Sequence, residues 1–280
     1  MISIAKQDSE LLDLLTAMHP DSSKTTLRSW IQQKRVLVDG EVVIIAKQKV
    51  LQGQKVEVSK KTLLIEDDVE ILFEDRFIAV INKPAGLLSV ATAFDTYHTA
   101  HNMLKKRNPG KVIYPVHRLD RETSGVMVFA YSSAARDHFK KLFHAHDIER
   151  KYVAIVENIV KEPEGTWKSY LVEDPTYHVA SRKTPEGEAK LAITHYKVLS
   201  QKKQTTLIEL TLETGRKNQI RVHCQENGHP IIGDKKYEAL TDPIQRLGLH
   251  ALHLGFIHPF TKKMMRFTKT LPLSFQNFLK

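Results

Sequence analysis

Apolar side chains in the first sixty residues follow two helical patterns and then a strand pattern. The first helix is predicted over residues 8–18, and Pro20 ends it. Its apolar face recurs at helical spacing and comprises Leu11, Leu12, Leu14, Leu15 and Met18. A second helix is predicted from about residue 22, with an apolar side formed by Leu27, Trp30 and Ile31. Residues 36–43 then predict two strands joined by an Asp-Gly turn, and residues 54–58 predict a third strand.

Strand patterns dominate from Val69 onward. Short runs rich in apolar and β-branched residues predict strands over 69–73, 77–82, 124–130, 151–157, 191–199, 205–213, 249–257 and 264–268. Helical spacing predicts helices over 97–107, 132–146, 216–227 and 272–279. Clusters of strands with a few intervening helices indicate an α+β domain around a mixed or antiparallel sheet. We therefore expect a small N-terminal α/β domain (1–60), a polar linker (61–68) and a large α+β domain (69–280).

The chain is basic, which suits a protein that binds polyanions. Its 280 residues include 42 Lys and Arg against 32 Asp and Glu, a formal net charge of +10. The single cysteine, Cys224, excludes an internal disulfide and a thiolate-rich metal site. No apolar run approaches the roughly 20 residues of a membrane-spanning helix, and the first residues lack a signal-peptide pattern. We expect a cytoplasmic protein, not bound to membranes, whose partner is nucleic acid.

The segment His117–Gly125 places one carboxylate, Asp120, between the guanidinium groups of Arg118 and Arg121. An opposite charge within a few ångströms favours the ionised form of a carboxyl group. The pattern therefore favours a nucleophile or a base at Asp120 over a proton donor. A loop aspartate in a surface ion pair is the alternative, and it would be preferred if the segment stood alone.

Four segments of the larger domain together resemble the motifs of the RluA-type pseudouridine synthases. His117–Gly125 is similar to that family's HRLDRETSG motif, and Asn82–Ser89 is similar to its first motif. Gly215–His223 resembles the third motif, and Leu249–Ala251 followed by His258-Pro259 resembles the last. Four motifs in the family's order are far more specific than any one short pattern. The resemblance implies a pseudouridine synthase-like catalytic core, a mixed or antiparallel sheet with flanking helices.

The N-terminal residues resemble an S4 RNA-binding domain, with two short helices, a small sheet and Ser23–Gly40 at their junction. In such a domain, basic side chains along the second helix and just after it contact RNA phosphates. The residues that the resemblance assigns to this role are Lys24, Arg28, Lys34 and Arg35. A solvated helix face is the alternative for scattered cations of this kind.

The resemblance implies that the chain converts selected uridines of structured RNA into pseudouridine, with no cofactor and no metal. The bond from C1′ to N1 breaks, the uracil turns, and C1′ is joined to C5. Asp120 is then the catalytic carboxylate, and it either attacks C1′ or takes the proton from C2′. Arg221 is implied as its ion-pair partner. Tyr152 is implied as the active-site tyrosine, whose ring faces the everted uracil and whose hydroxyl relays the proton lost from C5.

Further residues are expected to contact the RNA. Arg118 fills the space of the everted base, and Leu249 forms the apolar floor of the pocket. Arg216 and Lys217 are expected in the first turn of the helix that carries Arg221, where free amide groups favour phosphate. Asn82 and Lys83 of the first motif are additional candidate RNA contacts. Basic pairs at Lys235-Lys236 and Lys262-Lys263 are candidate phosphate contacts or ordinary surface.

Large-subunit ribosomal RNA is the substrate we expect, since S4-bearing relatives commonly act there, and transfer RNA is the alternative. A second hypothesis is a catalytically inactive RNA-binding protein that assists ribosome assembly. A third is a metal-dependent phosphoesterase, which the 14 histidines invite, although their spacing does not form a metal-binding pattern. The chain departs from common family members at Asn218, where many have His, and at Leu88-Ser89-Val90. These departures bear on substrate identity, and we expect a monomer.

Overall fold

The computed structural model describes residues 2–32, 35–58, 69–92 and 97–279 of the chain. The chain divides into two compact units, Met1–Asp68 and Val69–Lys280. The predicted linker over 61–68 and the predicted RNA contact Lys34 lie outside the described residues.

The N-terminal unit contains two helices packed with short strands in the part of it that the structure describes. Its elements are β1 (Ile2–Ile4), β2 (Ser9–Glu10), α1 (Leu11–Met18), α2 (Lys24–Gln32), β3 (Val36–Val38), β4 (Glu41–Val42), β5 (Lys49–Val50) and β6 (Lys55–Val58). Strands β1, β6, β3 and β4 form one sheet, and β2 pairs with β5. Asp39 and Gly40 both have positive φ, 51° and 87°, and make the predicted tight turn between β3 and β4. Apolar residues of both helices pack with the strands in one core.

The larger unit is built around a sheet flanked by helices. Its strands are β7 (Glu70–Glu74), β8 (Ile78–Lys83), β9 (Tyr114–Pro115), β10 (Ser124–Ala130), β11 (Glu149–Glu157), β12 (Glu164–Glu173), β13 (Val179–Arg182), β14 (Lys190–Lys202), β15 (Thr205–Leu212), β16 (Leu249–Ile257) and β17 (Met264–Thr268). Its helices are α3 (Ala100–Arg107), α4 (Ser133–His144), α5 (Gln219–Glu226), a short 3-10 helix (Lys235–Tyr237) and α6 (Leu273–Leu279).

The strands of the larger unit form one mixed sheet, which confirms the predicted α+β class. The order is β13-β12-β14-β15-β11-β16-β10-β8-β7, with β17 paired to β16 and β9 paired to β10. Strands β10 and β16 are parallel, and the other recorded pairings are antiparallel. The sequence did not predict β12 and β13. In β12 only Trp167 and Leu171 are buried, four residues apart, so strict alternation is missing.

Helices cover both faces of the central strands, which explains their continuous apolar runs. On β10, Met127 and Phe129 pack against α3, whereas Val126 and Val128 pack against α4. The neighbouring part of the sheet repeats this arrangement, with α5 on one face and α6 on the other. Tyr152 of β11 contacts both the α3 cluster and the α5 cluster. The seam between these two clusters is where the candidate site lies.

Gly125 allows β10 and β16 to approach each other closely. Its φ is +122°, and a Cβ atom there would lie 2.1 Å from the carbonyl oxygen of Ala251. Gly125 pairs with Ala251, and Ser124 pairs with His250, in the parallel ladder. A glycine is therefore required where the end of the segment His117–Gly125 joins the strand that begins with Leu249.

Candidate active site

A cleft of about 220 Å³ brings together residues from three of the four sequence motifs. The side chains expected to carry the chemistry, Asp120, Tyr152 and Arg221, all line it. The expected RNA contacts Arg118, Arg216, Lys217 and Leu249 line the same cleft. Residues from separate parts of the chain thus share one concave surface, the usual setting of an enzyme site.

The loop that carries Asp120 is hydrogen-bonded to residues of the first motif. The backbone N–H of Gly86 donates to the carbonyl of Arg121 at 2.9 Å, and the Arg121 Nε returns a bond to the carbonyl of Gly86 at 3.0 Å. Ser89 is buried, and its hydroxyl donates to the carbonyl of Leu119 at 2.7 Å while accepting from the Leu119 N–H at 3.0 Å. Ser89 therefore positions the residue next to Asp120. It is a structural departure from common family members at this position.

Lys83 is buried, which speaks against the expectation that it contacts RNA. The residue is 0% exposed, and its ammonium donates to the carbonyls of Pro84, Leu87 and Arg121 at 2.9, 2.6 and 3.1 Å. Burial lowers the pKa of Lys83 to about 7, against the opposing charges of Glu122 and Asp120. Lys83 thus connects the first motif to the loop that carries Asp120. Its neighbour Asn82 is half-buried and donates to Glu70 at 3.1 Å.

Arg221 lies between two aspartates and binds them unequally. Its Nε and Nη2 donate to Asp234 at 2.7 and 2.6 Å, and its Nη1 lies 3.8 Å from Asp120. The side chain of Asp234 is 0% exposed, whereas that of Asp120 is 26% exposed. The paired bonds to Asp234 fix the plane of the guanidinium, because a bidentate pair restricts both distance and orientation. Asp120 keeps a cationic neighbour and remains accessible to a ligand.

Asp234 is a site residue that the sequence analysis missed. It follows the apolar run Pro230–Ile232, a position that by itself does not reveal an ion-pair partner. Its carboxylate also accepts from the backbone N–H of Tyr237 at 3.3 Å and caps the 3-10 helix. The Tyr237 ring lies 4.8 Å from the Arg221 guanidinium carbon. Burial alone would lower the pKa of Arg221, but Asp234 and Asp120 together raise it, so the guanidinium stays charged.

Asn218 is the N-cap of α5 and adopts a left-handed backbone conformation, with φ of 52°. Its side-chain amide donates to the Tyr237 hydroxyl at 2.9 Å. Asn218 therefore helps to hold the ring that packs on Arg221.

The predicted start of the helix that carries Arg221 was wrong. Helix α5 begins at Gln219, so Arg216 and Lys217 precede it and do not form its first turn. Lys217 forms an ion pair with Glu173, and the Arg216 Nε donates to the carbonyl of Leu191 at 3.0 Å. The left-handed conformation of Asn218 interrupts the helix at the point where the sequence pattern continues it.

Tyr152 is half-buried, on the strand face that looks into the cleft. Burial raises its pKa, the charge of Arg150 opposes this shift, and the charge of Asp120 adds to it. The hydroxyl is therefore protonated at neutral pH. Leu249 is buried and lines the same cleft, as expected for an apolar floor. Arg118 is exposed at the cleft.

The basic residues predicted for the N-terminal unit lie on or just after α2. Lys24 and Arg28 are exposed, and the Lys24 ammonium lies 3.9 Å from Asp13. The guanidinium carbon of Arg35 lies 4.8 Å from the Trp30 ring centroid. Within the ranges that the structure describes, no cluster of three or more His, Cys, Asp and Glu residues could hold a metal ion, and no helix is long and apolar enough to span a membrane.

Comparison with known proteins agrees with this geometry. Residues 78–226 match the family model described as RNA pseudouridylate synthase, and residues 11–56 match the S4 domain model. Ribosomal large subunit pseudouridine synthase D of Pasteurella multocida is 31% identical, over 98% of this chain and 91% of that protein. An uncharacterised RNA pseudouridine synthase of Bacillus subtilis, YhcT, is 31% identical over 97% of this chain and 93% of its own length.

A solved structure with a similar fold indicates the same family. The solved structure of human RNA pseudouridylate synthase domain containing 4 matches with a TM-score of 0.61 and 27% identity, covering 75% of this chain and 91% of that one. Asp120, Tyr152 and Arg221 lie in one cleft of that fold. With nearly its full length matched to such enzymes, the chain belongs to the RNA pseudouridylate synthase family, and it carries an S4 domain at its N-terminal end.

Proposed function

We propose that this protein converts a uridine of large-subunit ribosomal RNA into pseudouridine, with Asp120 as the carboxylate that acts on the ribose. One observation carries the assignment. Asp120 and Tyr152 line the same cleft, and the Asp120 carboxylate lies 3.8 Å from the guanidinium of Arg221, which is bound by Asp234. The family reaction needs an ionised carboxylate, a pocket that limits water, and a surface on which uracil can turn.

The target nucleotide must leave its stack before Asp120 can reach the sugar. Arg118, exposed beside the catalytic loop, occupies the space that the base vacates. Arg221 positions the carboxylate of Asp120, to which its guanidinium lies at 3.8 Å. Asp120 either attacks C1′ or removes the proton from C2′, and on each route the bond from C1′ to N1 breaks in that step and uracil leaves with the electron pair of that bond.

Tyr152 offers its ring to the freed uracil. Because its raised pKa keeps the phenol protonated, the hydroxyl can relay the C5 proton only by accepting that proton while it gives up its own. Leu249 supplies an apolar surface that lets the uracil rotate without fixed hydrogen bonds. After this rotation C5 is joined to C1′, as the bond from Asp120 to C1′ breaks on the first route or as the proton returns to C2′ on the second. C5 then loses its proton and N1 gains one, so no atom is gained or lost.

The substrate assignment rests on the relatives and on the S4 domain. Relatives named pseudouridine synthase D of the ribosomal large subunit match nearly the whole of this chain. We propose that Lys24, Arg28 and Arg35 contact RNA phosphates, and that Arg216 and Lys217 contact them at the cleft. We also propose that the enzyme is a monomer and that it is located in the cytoplasm. Light scattering tests the first point, and cell fractionation tests the second.

A pseudouridine map of total RNA from cells with and without the gene tests the function. We expect at least one site in large-subunit ribosomal RNA to disappear with the gene and to return on complementation. Loss confined to transfer RNA would reassign the substrate. A map that does not change would favour the inactive assembly factor.

Asp120→Asn tests the catalytic role. We expect product formation to fall below detection, because an amide can neither attack C1′ as an anion nor take a proton, while RNA affinity stays within several-fold. Glu122→Gln is the matched control, since Glu122 is a carboxylate of the same loop that pairs with Arg121 on the surface. An active Asp120→Asn enzyme would remove Asp120 from its role. A chelator should leave the wild-type activity intact, and cleavage of the RNA chain would point to a phosphoesterase.

A further inference from the structure

An exposed tyrosine stands beside the cleft, in the turn between β12 and β13. Tyr177 is 67% exposed, and its φ of 62° is one that bulky aromatic residues rarely adopt. The ammonium of Lys217, which lines the cleft together with Asp120, lies 5.3 Å from the centre of the Tyr177 ring. The turn therefore presents an aromatic ring to solvent next to a cation of the active-site cleft.

Hydrogen bonds hold the backbone of this turn in its conformation. The Asp174 carboxylate accepts from the N–H of Thr176 at 2.8 Å, from its hydroxyl at 2.7 Å, and from the N–H of His178 at 2.9 Å. The N–H of Tyr177 donates to the carbonyl of Asp174 at 3.0 Å. Because the backbone on both sides of Tyr177 is bonded, the ring is presented with little backbone freedom left to lose on binding.

Two lysine ammonium groups contact the turn that carries Tyr177, that of Lys217 near the ring and that of Lys236 at the backbone. The Lys236 ammonium donates to the carbonyl of Tyr177 at 3.0 Å, and Lys235 beside it is exposed. Glu173 pairs with Lys217, and the Asp174 carboxylate accepts hydrogen bonds from its own turn, so Lys236 and Lys235 are the ammonium groups of this surface with no carboxylate partner among the described residues. A solvent-facing aromatic ring with ammonium groups nearby suits a nucleotide, whose base stacks on the ring while its phosphate approaches the cations.

The turn is also connected to the catalytic arginine. The ring of His178 lies 5.1 Å from that of Tyr237, which packs on Arg221. Tyr177 therefore directly precedes a residue that contacts Tyr237, the side chain that packs on Arg221.

We propose that Tyr177 stacks on the base of an unpaired nucleotide that flanks the target uridine, with Lys217 and Lys236 near its phosphate. This proposal rests on the proposed function, because it assumes that RNA occupies the cleft. Tyr177 is a substrate-binding residue in this view. It holds the RNA next to the everted uridine and takes no part in the isomerisation.

Binding of a fluorescein-labelled RNA hairpin with an unpaired, uridine-containing loop tests the proposal, with fluorescence anisotropy as the readout. Tyr177→Asn removes the ring and keeps a residue that tolerates the left-handed backbone. We expect affinity to fall about tenfold, the size of one lost base stack. Tyr177→Phe, which keeps the ring, should bind within about twofold of the wild type.

The matched probes are two versions of the same hairpin. One is abasic at the loop position before the uridine, and the other is abasic at the loop position after it. At the stacked position, the abasic hairpin should bind the wild type and Tyr177→Asn equally. Equal affinities of the two proteins for the intact hairpin would overturn the proposal. The proposal would also be overturned if Tyr177→Asn lost the same affinity for the intact hairpin and for both abasic hairpins. Because the readout is binding, it is separate from the pseudouridine map, which alone decides the proposed function.

Discussion

The basic side chains of helix α2 and those of the cleft differ in how far the structure fixes them. Arg28 is exposed, and the described part of the chain provides its guanidinium with no hydrogen bond or ion pair. Arg221 has a side chain only 14% exposed and is held by paired bonds to Asp234. Attraction to a polyanion needs charge and tolerates loose geometry, whereas catalysis needs a charge at a fixed place.

The same contrast appears in the backbone of the two units. Gly53 in the N-terminal unit and Gly125 in the larger unit both have positive φ, 87° and 122°. A Cβ atom on Gly53 would meet nothing within 4 Å, and one on Gly125 would lie 2.1 Å from the carbonyl oxygen of Ala251. The N-terminal turn needs only a permissive backbone, but the site needs two strands in near contact.

The largest expected effect comes from Gly125→Ala. The added methyl must separate β10 from β16, and we expect the unfolding free energy of the larger unit to fall by about 4 kcal/mol or more. Gly53→Ala is the control and should lower stability by about 1–2 kcal/mol through backbone strain alone. Urea unfolding measures both, with Trp167 reporting on the larger unit and Trp30 on the N-terminal unit. Equal effects of the two substitutions would contradict the distinction.

Asp234→Asn tests whether the buried carboxylate organises the site. We expect destabilisation of about 3–5 kcal/mol, because a largely buried guanidinium loses the carboxylate that accepts its paired hydrogen bonds. We also expect a loss of activity with unchanged RNA affinity, since the freed Arg221 can turn fully to Asp120. Asp137→Asn is the control, as Asp137 pairs with Arg136 on the surface at 2.9 Å, and it should change neither quantity. Normal turnover by Asp234→Asn would remove Asp234 from its positioning role.

Acid should destabilise the larger unit first. Burial, with Arg150 adding to the effect, lowers the pKa of His117 to about 3, and burial lowers the pKa of His223 and of His250 to about 4. In the unfolded chain these histidines bind protons below about pH 6.5. Stability is therefore lost as the pH falls from about 6.5 towards 4, by about 1.4 kcal/mol per pH unit for each histidine.

The two tryptophans separate the units in this experiment. The unfolding free energy reported by Trp167 should depend strongly on pH. The one reported by Trp30 should depend on pH less, because the N-terminal unit contains a single histidine, His19, with a lowered pKa. His223→Gln should flatten the Trp167 dependence by about one proton's contribution. A dependence that stays unchanged in His223→Gln would show that this histidine is not kept neutral by the fold.

The smallest expected effect belongs to Arg28→Ala. RNA affinity should fall several-fold, and the slope of log affinity against log salt should decrease by about one, as expected when one phosphate contact is lost. The turnover rate at saturating RNA should not change. Asp21→Asn, which alters charge on the loop before α2, is the control and should not weaken binding. A reduced turnover rate in Arg28→Ala would mean that the N-terminal unit does more than attract RNA.

Much of the fold could be predicted because local patterns agree with the final structure. Strands β10, β16 and β17 have the predicted boundaries, since apolar runs bounded by turn residues are a local signal. Strand β12 could not be predicted, because its partners β13 and β14, and not its own pattern, hold it in the sheet. The start of α5 was missed because the left-handed Asn218 depends on a tertiary contact with Tyr237.

The sequence by itself determined the family and the α+β class, and it singled out Asp120, Tyr152 and Arg221, which line one cleft, because these inferences depend on residue types at characteristic spacings. Tertiary structure decided what each charged group does. Lys83 and Lys217 look alike as basic residues in motifs, yet one is buried on three carbonyls and the other lies at the cleft. Asp234 carries no local sign of its role, because an ion pair between residues of separate segments forms only when the chain has folded.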